Sequence, residues 1–396
     1  MIKRHYFFGC IIILGIIARV LSIQFYGDKV IGMEWGEIFY AYEKYGILGK
    51  AIDGELVPVP NLYMPPLYPF YLISLKYLFP FENNFPLFVL YTHLILSVIS
   101  IFFFDKILKN FFSNRLSLIG TSIFVFLPIN IYSVAQSSSI CLQVFLVTMF
   151  FFYFLKFYQI ENFFNVIMFS LLGGLLMLIR GEFLLTYILT LSFIFYFKKK
   201  IKFIVLSILI SLIIISPYLI RNYNLTNKII ITQSFGFNLW KGNNLLSKVE
   251  GNDKIYDLEM SKEYKNLKHN NLYDINMDQI YKENAISNIS SDPKRYLNLY
   301  IEKFFSFLFF DLKSSRTNYY NFFHIFPKIA LSILSLIGLL MLLKPKENEL
   351  NYFAYYYLYN IALFSLFFIL PRYSLMLVPA QIILTCYLIK KLRPNF

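Results

Sequence analysis

Glu34 and Glu37 stand three residues apart, a spacing that puts both on one face of a helical turn. A carboxylate within hydrogen-bond reach of a hydroxyl can take its proton as that oxygen attacks. Two Glu residues that face solvent or cap a helix satisfy the same pattern. Arg180, Arg221 and Arg372 each close or border an apolar run. A guanidinium pairs phosphate oxygens bidentately through its planar fork. Fixed beside a departing phosphate, it stabilises the charge that grows as the bond breaks. Snorkelling to lipid headgroups, or pairing of Arg180 with Glu182, would account for the same residues. Arg19, near the end of the first apolar run, reads as a snorkelling cation. Trp240, Asn243 and Asn244 could stack on and hydrogen-bond a sugar, or form an ordinary turn.

No metal site is read from the sequence: His5, His93, His269 and His324 are scattered along the chain, and no ligand spacing joins them. A divalent metal is possible but unsupported, and no other cofactor is implied. Cys10, Cys141 and Cys386 all fall in apolar runs, so neither a disulfide framework nor a thiolate zinc site is expected. The triplets Asn224-Leu225-Thr226 and Asn288-Ile289-Ser290 fit the glycan acceptor pattern, a pattern frequent by chance.

The elements that must position these groups are helices in lipid. With 58% hydrophobic and 20% aromatic residues and a mean hydropathy of +0.57, 396 residues carry more apolar surface than one soluble core can hide. The net charge of +14 lies mainly between apolar runs, where it encodes topology rather than nucleic-acid binding. The first run, Tyr6 to Phe25, follows Lys3 and Arg4; it is long, lacks a small-residue cleavage site and reads as an uncleaved span. Runs of near-spanning length recur at 87–104, 117–134, 139–157, 163–179, 183–197, 203–220, 325–343, 352–370 and 374–389. About ten spans are expected.

Segment 66–80 is apolar but short and carries Lys76. If it lies flat, the basic clusters Lys3/Arg4, Lys106/Lys109/Arg115, Lys156, Lys198–Lys202, Lys344/Lys346 and Lys390/Lys391/Arg393 all fall in the cytoplasm, as the positive-inside rule requires. It therefore reads as an interfacial helix. Three parts follow: a membrane module over 1–221 with a first outer loop at 26–86, an outer soluble segment over 222–321, and further membrane helices over 322–396. Within the outer segment a helix is expected to open at Asn276 or Asp278 and break near Pro293, followed by a surface-lying aromatic, basic stretch from Arg295 to Phe310.

Glu34-Trp35-Gly36-Glu37, Tyr40-Ala41, Gly46 and Pro65-Pro66-Leu67-Tyr68-Pro69 make up the first outer loop. Pro217-Tyr218-Leu219-Ile220-Arg221-Asn222-Tyr223 precedes Gly236-Phe237-Asn238-Leu239-Trp240-Lys241-Gly242-Asn243-Asn244. With Pro128, Arg180, Asp292-Pro293, Arg372-Tyr373 and Pro379, this ordered set resembles bacterial membrane glycosyltransferases of the GT-C superfamily. The similarity is to the protein O-mannosyltransferase and aminoarabinose transferase branch, glycosyltransferase family 39-like. Two departures stand out: Glu34 replaces the usual Asp, and Gln136-Ser137-Ser138-Ser139 stands where relatives carry a second acidic residue.

The resemblance implies an all-α polytopic membrane protein, a GT-C-like bundle with outer-face interfacial helices. It implies an inverting transferase in the cytoplasmic membrane, its site facing outward, that moves a sugar from a polyprenyl-phosphate donor to a lipid, glycan or protein acceptor. Membrane lipid is then a partner and nucleic acid is not. Glu34 is the preferred base with Glu37 second, Arg180, Arg221 and Arg372 hold the donor phosphate, and Tyr68, Asn222, Trp240, Asn243 and Asn244 contact substrate. A lipid-linked glycan transporter or a non-catalytic envelope assembly protein are the alternatives from other classes.

Overall fold

Apolar runs without internal polar breaks leave the backbone one way to satisfy its own hydrogen bonds in lipid, the α-helix, and helices dominate this chain. The computed structural model describes residues 2–51, 57–80, 84–160, 162–255, 257–311, 313–314, 321–342 and 348–394, and for residues 2, 3, 33, 34 and 348 the backbone alone. In chain order the helices are α1 (Ile2–Tyr26), α2 (Met33–Tyr45), α3 (Leu67–Leu78), α4 (Phe85–Lys109), α5 (Asn114–Phe126) and α6 (Pro128–Tyr132). Then come α7 (Ile140–Gln159), α8 (Phe163–Ile179), α9 (Phe183–Lys198), α10 (Ile201–Thr226), α11 (Phe235–Asn243) and α12 (Leu258–Lys265). The chain closes with α13 (Tyr273–Ser291), α14 (Pro293–Leu308), α15 (Phe322–Leu342), α16 (Asn348–Ser365) and α17 (Val378–Leu392), the last led in by a 3-10 segment, Pro371–Leu377. A small antiparallel hairpin, β1 (Gly49–Lys50) with β2 (Val59–Pro60), pairs Gly49 with Pro60; no strand is expected there from the sequence.

Among the described residues six helices are long and apolar enough to cross a bilayer, seven when the pair Asn114–Phe126 and Pro128–Ala135, bent by 53°, counts as one broken span. That is fewer than the ten apolar runs suggest. The apolar helices α8 and α9 have 17 and 16 residues, short of the roughly 20 that a bilayer needs, and α16 is rich in Tyr and Asn. The bend lies at Pro128, which opens α6 and whose ring cannot continue the preceding helix. Segment 66–80 forms the 12-residue α3, packed on α2, α4 and α8. At 1.5 Å per residue it is about 18 Å long, too short to span.

Basic helix ends gather at one end of the bundle. Arg4, opening α1, pairs with the buried carboxylate of Asp105 at 2.7 Å, and Lys109 closes on the same group at 2.6 Å. Lys390 of α17 donates to the Phe111 carbonyl beside them at 3.3 Å. Lys198, ending α9, lies 4.3 Å from the Tyr158 ring centroid at the end of α7. Lys344 and Lys346 lie outside the described residues. At the opposite end sit α2, the hairpin, and α11 to α13.

In that second assembly, α13 starts at Tyr273 rather than at Asn276 or Asp278. Neither aspartate in its first turns acts as a cap. Asp274 accepts the Leu62 and Tyr63 amides at 2.8 and 3.1 Å and pairs with Lys50; Asp278 accepts the Phe237 amide and the Gln233 side chain, both at 2.8 Å. The two carboxylates bolt α13 to the first loop and to α11. Asp292 caps α14 through the Arg295 amide at 3.1 Å, and α14 takes in the aromatic, basic stretch, with Leu297, Ile301 and Phe305 exposed along one side.

Candidate active site

Helix α11 divides the outer motif into two faces. Gly236, Trp240 and Asn243 recur every three to four positions and are buried. A Cβ on Gly236 would come 2.0 Å from the Asp278 carbonyl, and one on Gly242 would come 2.3 Å from the Phe367 carbonyl, so both glycines permit backbone approaches that no side chain allows. Trp240 donates its indole N–H to Asn284 at 2.9 Å and packs on Tyr281. The Asn243 amide donates to the Leu239 and Leu366 carbonyls at 2.8 and 2.9 Å. Asn244 folds the following turn, accepting the Leu246 amide at 2.9 Å and donating to the Asn252 carbonyl at 2.6 Å. Their hydrogen-bonding capacity is taken up by the protein.

Lys303 of α14 completes this buried face: its ammonium donates to the Gly242 carbonyl at 2.8 Å and to Asn243 Oδ1 at 3.1 Å. Burial pushes its pKa down to about 7, because the charged form loses its hydration.

The opposite face of α11, carrying Ser234, Phe237, Asn238 and Lys241, lines a cavity of about 500 Å³. Trp35 and Glu37 of α2 reach it, as do Tyr63 to Pro65 of the first loop, Ser138 to Ile140 ahead of α7, Arg180 and Glu182 between α8 and α9, Asp253, and Arg372 with Tyr373 of the 3-10 segment. Arg180 follows the last residue of α8, its amide still bonded to the Leu176 carbonyl at 2.9 Å. Its guanidinium meets Glu182 Oε1 at 3.0 Å and lies 4.4 Å from the Tyr373 ring centroid and 5.1 Å from that of Phe364. Lys241 pairs with Asp253 at 3.0 Å. Of the six charges on the wall these four are paired. Among the described residues neither Glu37 nor Arg372 makes an ion pair.

A second cavity of about 660 Å³ shares Arg180, Glu182, Thr232, Ser234, Asn238, Phe368 and Tyr373 with the first. Its remaining wall is apolar: Leu184, Leu185, Leu219, Ile229, Ile231 and Phe367. Leu184, Leu185 and Ile229 are exposed on the bundle surface. A polar chamber thus adjoins a greasy groove, with Arg180 and Tyr373 lining both.

The structure brings Glu37, Arg180 and Arg372 together and keeps Arg221, Asn222, Tyr68, Trp240, Asn243 and Asn244 apart from them. Arg221, near the end of α10, donates to the Asn61 and Leu48 carbonyls at 2.9 and 3.0 Å and to Asn222 at 2.8 Å. It ties the hairpin to α10. Asn222 is buried and donates to the Ile230 carbonyl at 2.8 Å. Tyr68 is buried between Trp35 and His93. Pro65 lines the cavity while Pro66 leads into α3. Glu34 lies in α2 one turn before Glu37, but its side chain lies outside the described residues. Arg19 is buried, donating to Ser97, Gly15 and Val125, so it does not snorkel.

Asn238, Lys241, Asp253, Ser138 and Ser139 escaped the sequence reading. For the first two a signal existed: the helical period separates positions 234, 238 and 241 from 236, 240 and 243. Asp253 is delivered by a loop and carries no such signal. Among the described residues no group of three His, Cys, Asp or Glu side chains is placed to hold a metal ion. Neither a scan against protein-family models nor a search of curated proteins found a match for the chain.

Proposed function

We propose that this chain is an inverting glycosyltransferase of the GT-C kind that takes its sugar from a polyprenyl-phosphate carrier. One observation carries the reading: a chamber holding two arginines and an unpaired carboxylate adjoins an apolar groove, the form an amphiphile with a phosphate head and a hydrocarbon tail requires. The tail lies along Leu184, Leu219 and Ile231, and the phosphate rests between Arg180 and Arg372. The Glu37 carboxylate takes the proton of the acceptor hydroxyl. The freed oxygen attacks the anomeric carbon opposite the phosphate, the sugar–phosphate bond breaks with its electron pair passing to the phosphate, and the configuration inverts. Arg180 and Arg372 balance the growing charge. Glu34, on the same helical face, is the alternative base.

In this reading about ten segments cross the cytoplasmic membrane, α8, α9 and α16 among them, the basic helix ends face the cytoplasm, and the site opens outward. A Cys at Lys265 should then react with an impermeant maleimide without permeabilisation of the inner membrane. The deciding experiment gives the reconstituted protein polyprenyl-phosphate-linked hexoses and a membrane extract as acceptor, with mass spectrometry following free polyprenyl phosphate and glycosylated product. Release of the carrier with transfer supports the enzyme. Movement of intact lipid-linked sugar across the bilayer without bond cleavage would instead make it a transporter, and neither activity would leave an assembly protein.

A further inference from the structure

The turn that precedes α7 gives the cavity a part that its arginines do not. Asp28 grips this turn at two points: its amide donates to the Ala135 carbonyl at 3.0 Å, and its Oδ2 accepts the Ser137 amide at 2.7 Å and the Ser137 hydroxyl at 3.0 Å. The grip fixes Ser138 and Ser139, which line the cavity together with Ile140. Among the described residues Ser138 Oγ is buried and has no hydrogen-bond partner. Ser139 sits at the cap position of the 20-residue α7 but makes no side-chain cap bond. The first amides of a helix have no partner within it, and the helix dipole makes that end positive. An uncapped helix start, a hydroxyl without a partner, Arg180 and Arg372 therefore face one chamber.

We infer that the start of α7, through Ser138, Ser139 and the amides of its first turn, is a phosphate seat that works with Arg180 and Arg372, so that the headgroup is gripped from two sides. This rests on the polyprenyl-phosphate reading above and names how that site tells a phosphate from other lipid heads. Helix starts bind such groups through their free amides, and a hydroxyl adds a donor without adding charge. Asp28 is a positioning residue: its carboxylate is occupied by Ser137, so it shapes the turn without lining the chamber. Of the three carboxylates on the chamber wall, Glu182 is paired with Arg180 and Asp253 with Lys241, and the third, Glu37, is the base of the reading above.

Binding separates the seat from catalysis. The full-length protein in nanodiscs is titrated with undecaprenyl phosphate, with undecaprenol, which has the same tail and no phosphate, and with inorganic phosphate, using native mass spectrometry. Wild type should prefer the phosphate lipid over the alcohol by about tenfold or more, a ratio worth about 1.4 kcal/mol. Ser138→Ala with Ser139→Ala should lower that preference several-fold while binding of the alcohol stays the same; Ser138→Thr, which keeps the hydroxyl, should hold it. Asp28→Asn should weaken the preference less than the double Ser variant. Unchanged discrimination in the double variant overturns the seat, as does a wild type that does not distinguish phosphate from alcohol. Discrimination that depends on the serines in a protein with no transferase activity keeps the seat and removes the enzyme. Competition by inorganic phosphate alone at equal concentration would make the seat a free-anion site and overturn its assignment to the lipid carrier.

Discussion

Arg221 and Arg372 look alike in the sequence, each a cation beside an apolar run, yet the structure uses them differently. Arg221 belongs to a collar built from the hairpin, the end of α10 and α13, where its fork is filled by two backbone carbonyls and Asn222. The same collar buries Asp274 against Lys50 and the amides of the first loop. Arg372 belongs to the chamber, where among the described residues no carboxylate pairs with it. A polar group whose bonds are satisfied holds the fold, and one left open can meet a ligand. The difference between collar and chamber lies in partners rather than residue type.

The sharpest way to break this comparison is at the base. Glu37→Gln keeps the shape of the side chain and removes its proton affinity, and should lower turnover by about 10²–10⁴-fold. Glu34→Gln, one turn earlier, is the control. If Glu34→Gln is inactive and Glu37→Gln is nearly wild type, the base lies one turn back on α2; if both keep full rates, the chamber is not catalytic. Next comes Arg372→Ala, which should cost about 10²–10³-fold in turnover, roughly 2.7–4 kcal/mol of transition-state stabilisation, with the melting temperature of the detergent-solubilised protein little changed. Arg221→Ala should do the reverse. Loss of a guanidinium that satisfies three acceptors should destabilise the fold by about 2–4 kcal/mol, with turnover per folded molecule within about threefold of wild type. Equal rate losses in both Arg variants at unchanged stability would erase the distinction.

Much of the frame was legible because lipid simplifies the reading. Apolar runs and basic flanks set α1 and α7 to within about four residues and α4 and α10 to within about six, and the short α3 followed from its length and from Lys76. The outer assembly was harder, since Asp274 and Asp278 look like helix-start residues until the first loop and α11 arrive from far along the chain to bond them. The same long-range closure hid the seat before α7. Three serines in a row read as a turn, and nothing local announces that Asp28, more than a hundred residues earlier, will clamp the first of them. Trp240, Asn243 and Asn244 misled for a related reason: residue types that suit a sugar also suit a helix packed closely on its neighbour.

The smallest predicted effect tests, through pH, a second group whose bonds are satisfied, on the buried face of α11. Lys303 is buried against the Gly242 carbonyl and Asn243, and its folded pKa is pushed down to about 7 by loss of hydration, whereas an unfolded Lys titrates near 10.4. Below about pH 7 both states carry the proton, and the folded protein bears the full cost of a buried cation. Between about 7 and about 10 the unfolded chain binds more protons than the folded one, so stability rises with pH in that window. Lys303→Met removes the titration. The stability of wild type relative to Lys303→Met should therefore improve by about 1–2 kcal/mol from about pH 6.5 to about pH 8.5, measured by thermal unfolding in the same detergent. A constant difference would mean that Lys303 keeps its charge across the range, held by its two acceptors strongly enough to offset burial. A difference that moves the other way cannot come from Lys303, since the unfolded chain already binds its full proton at pH 8.5, and would show that the substitution shifts the titration of another group.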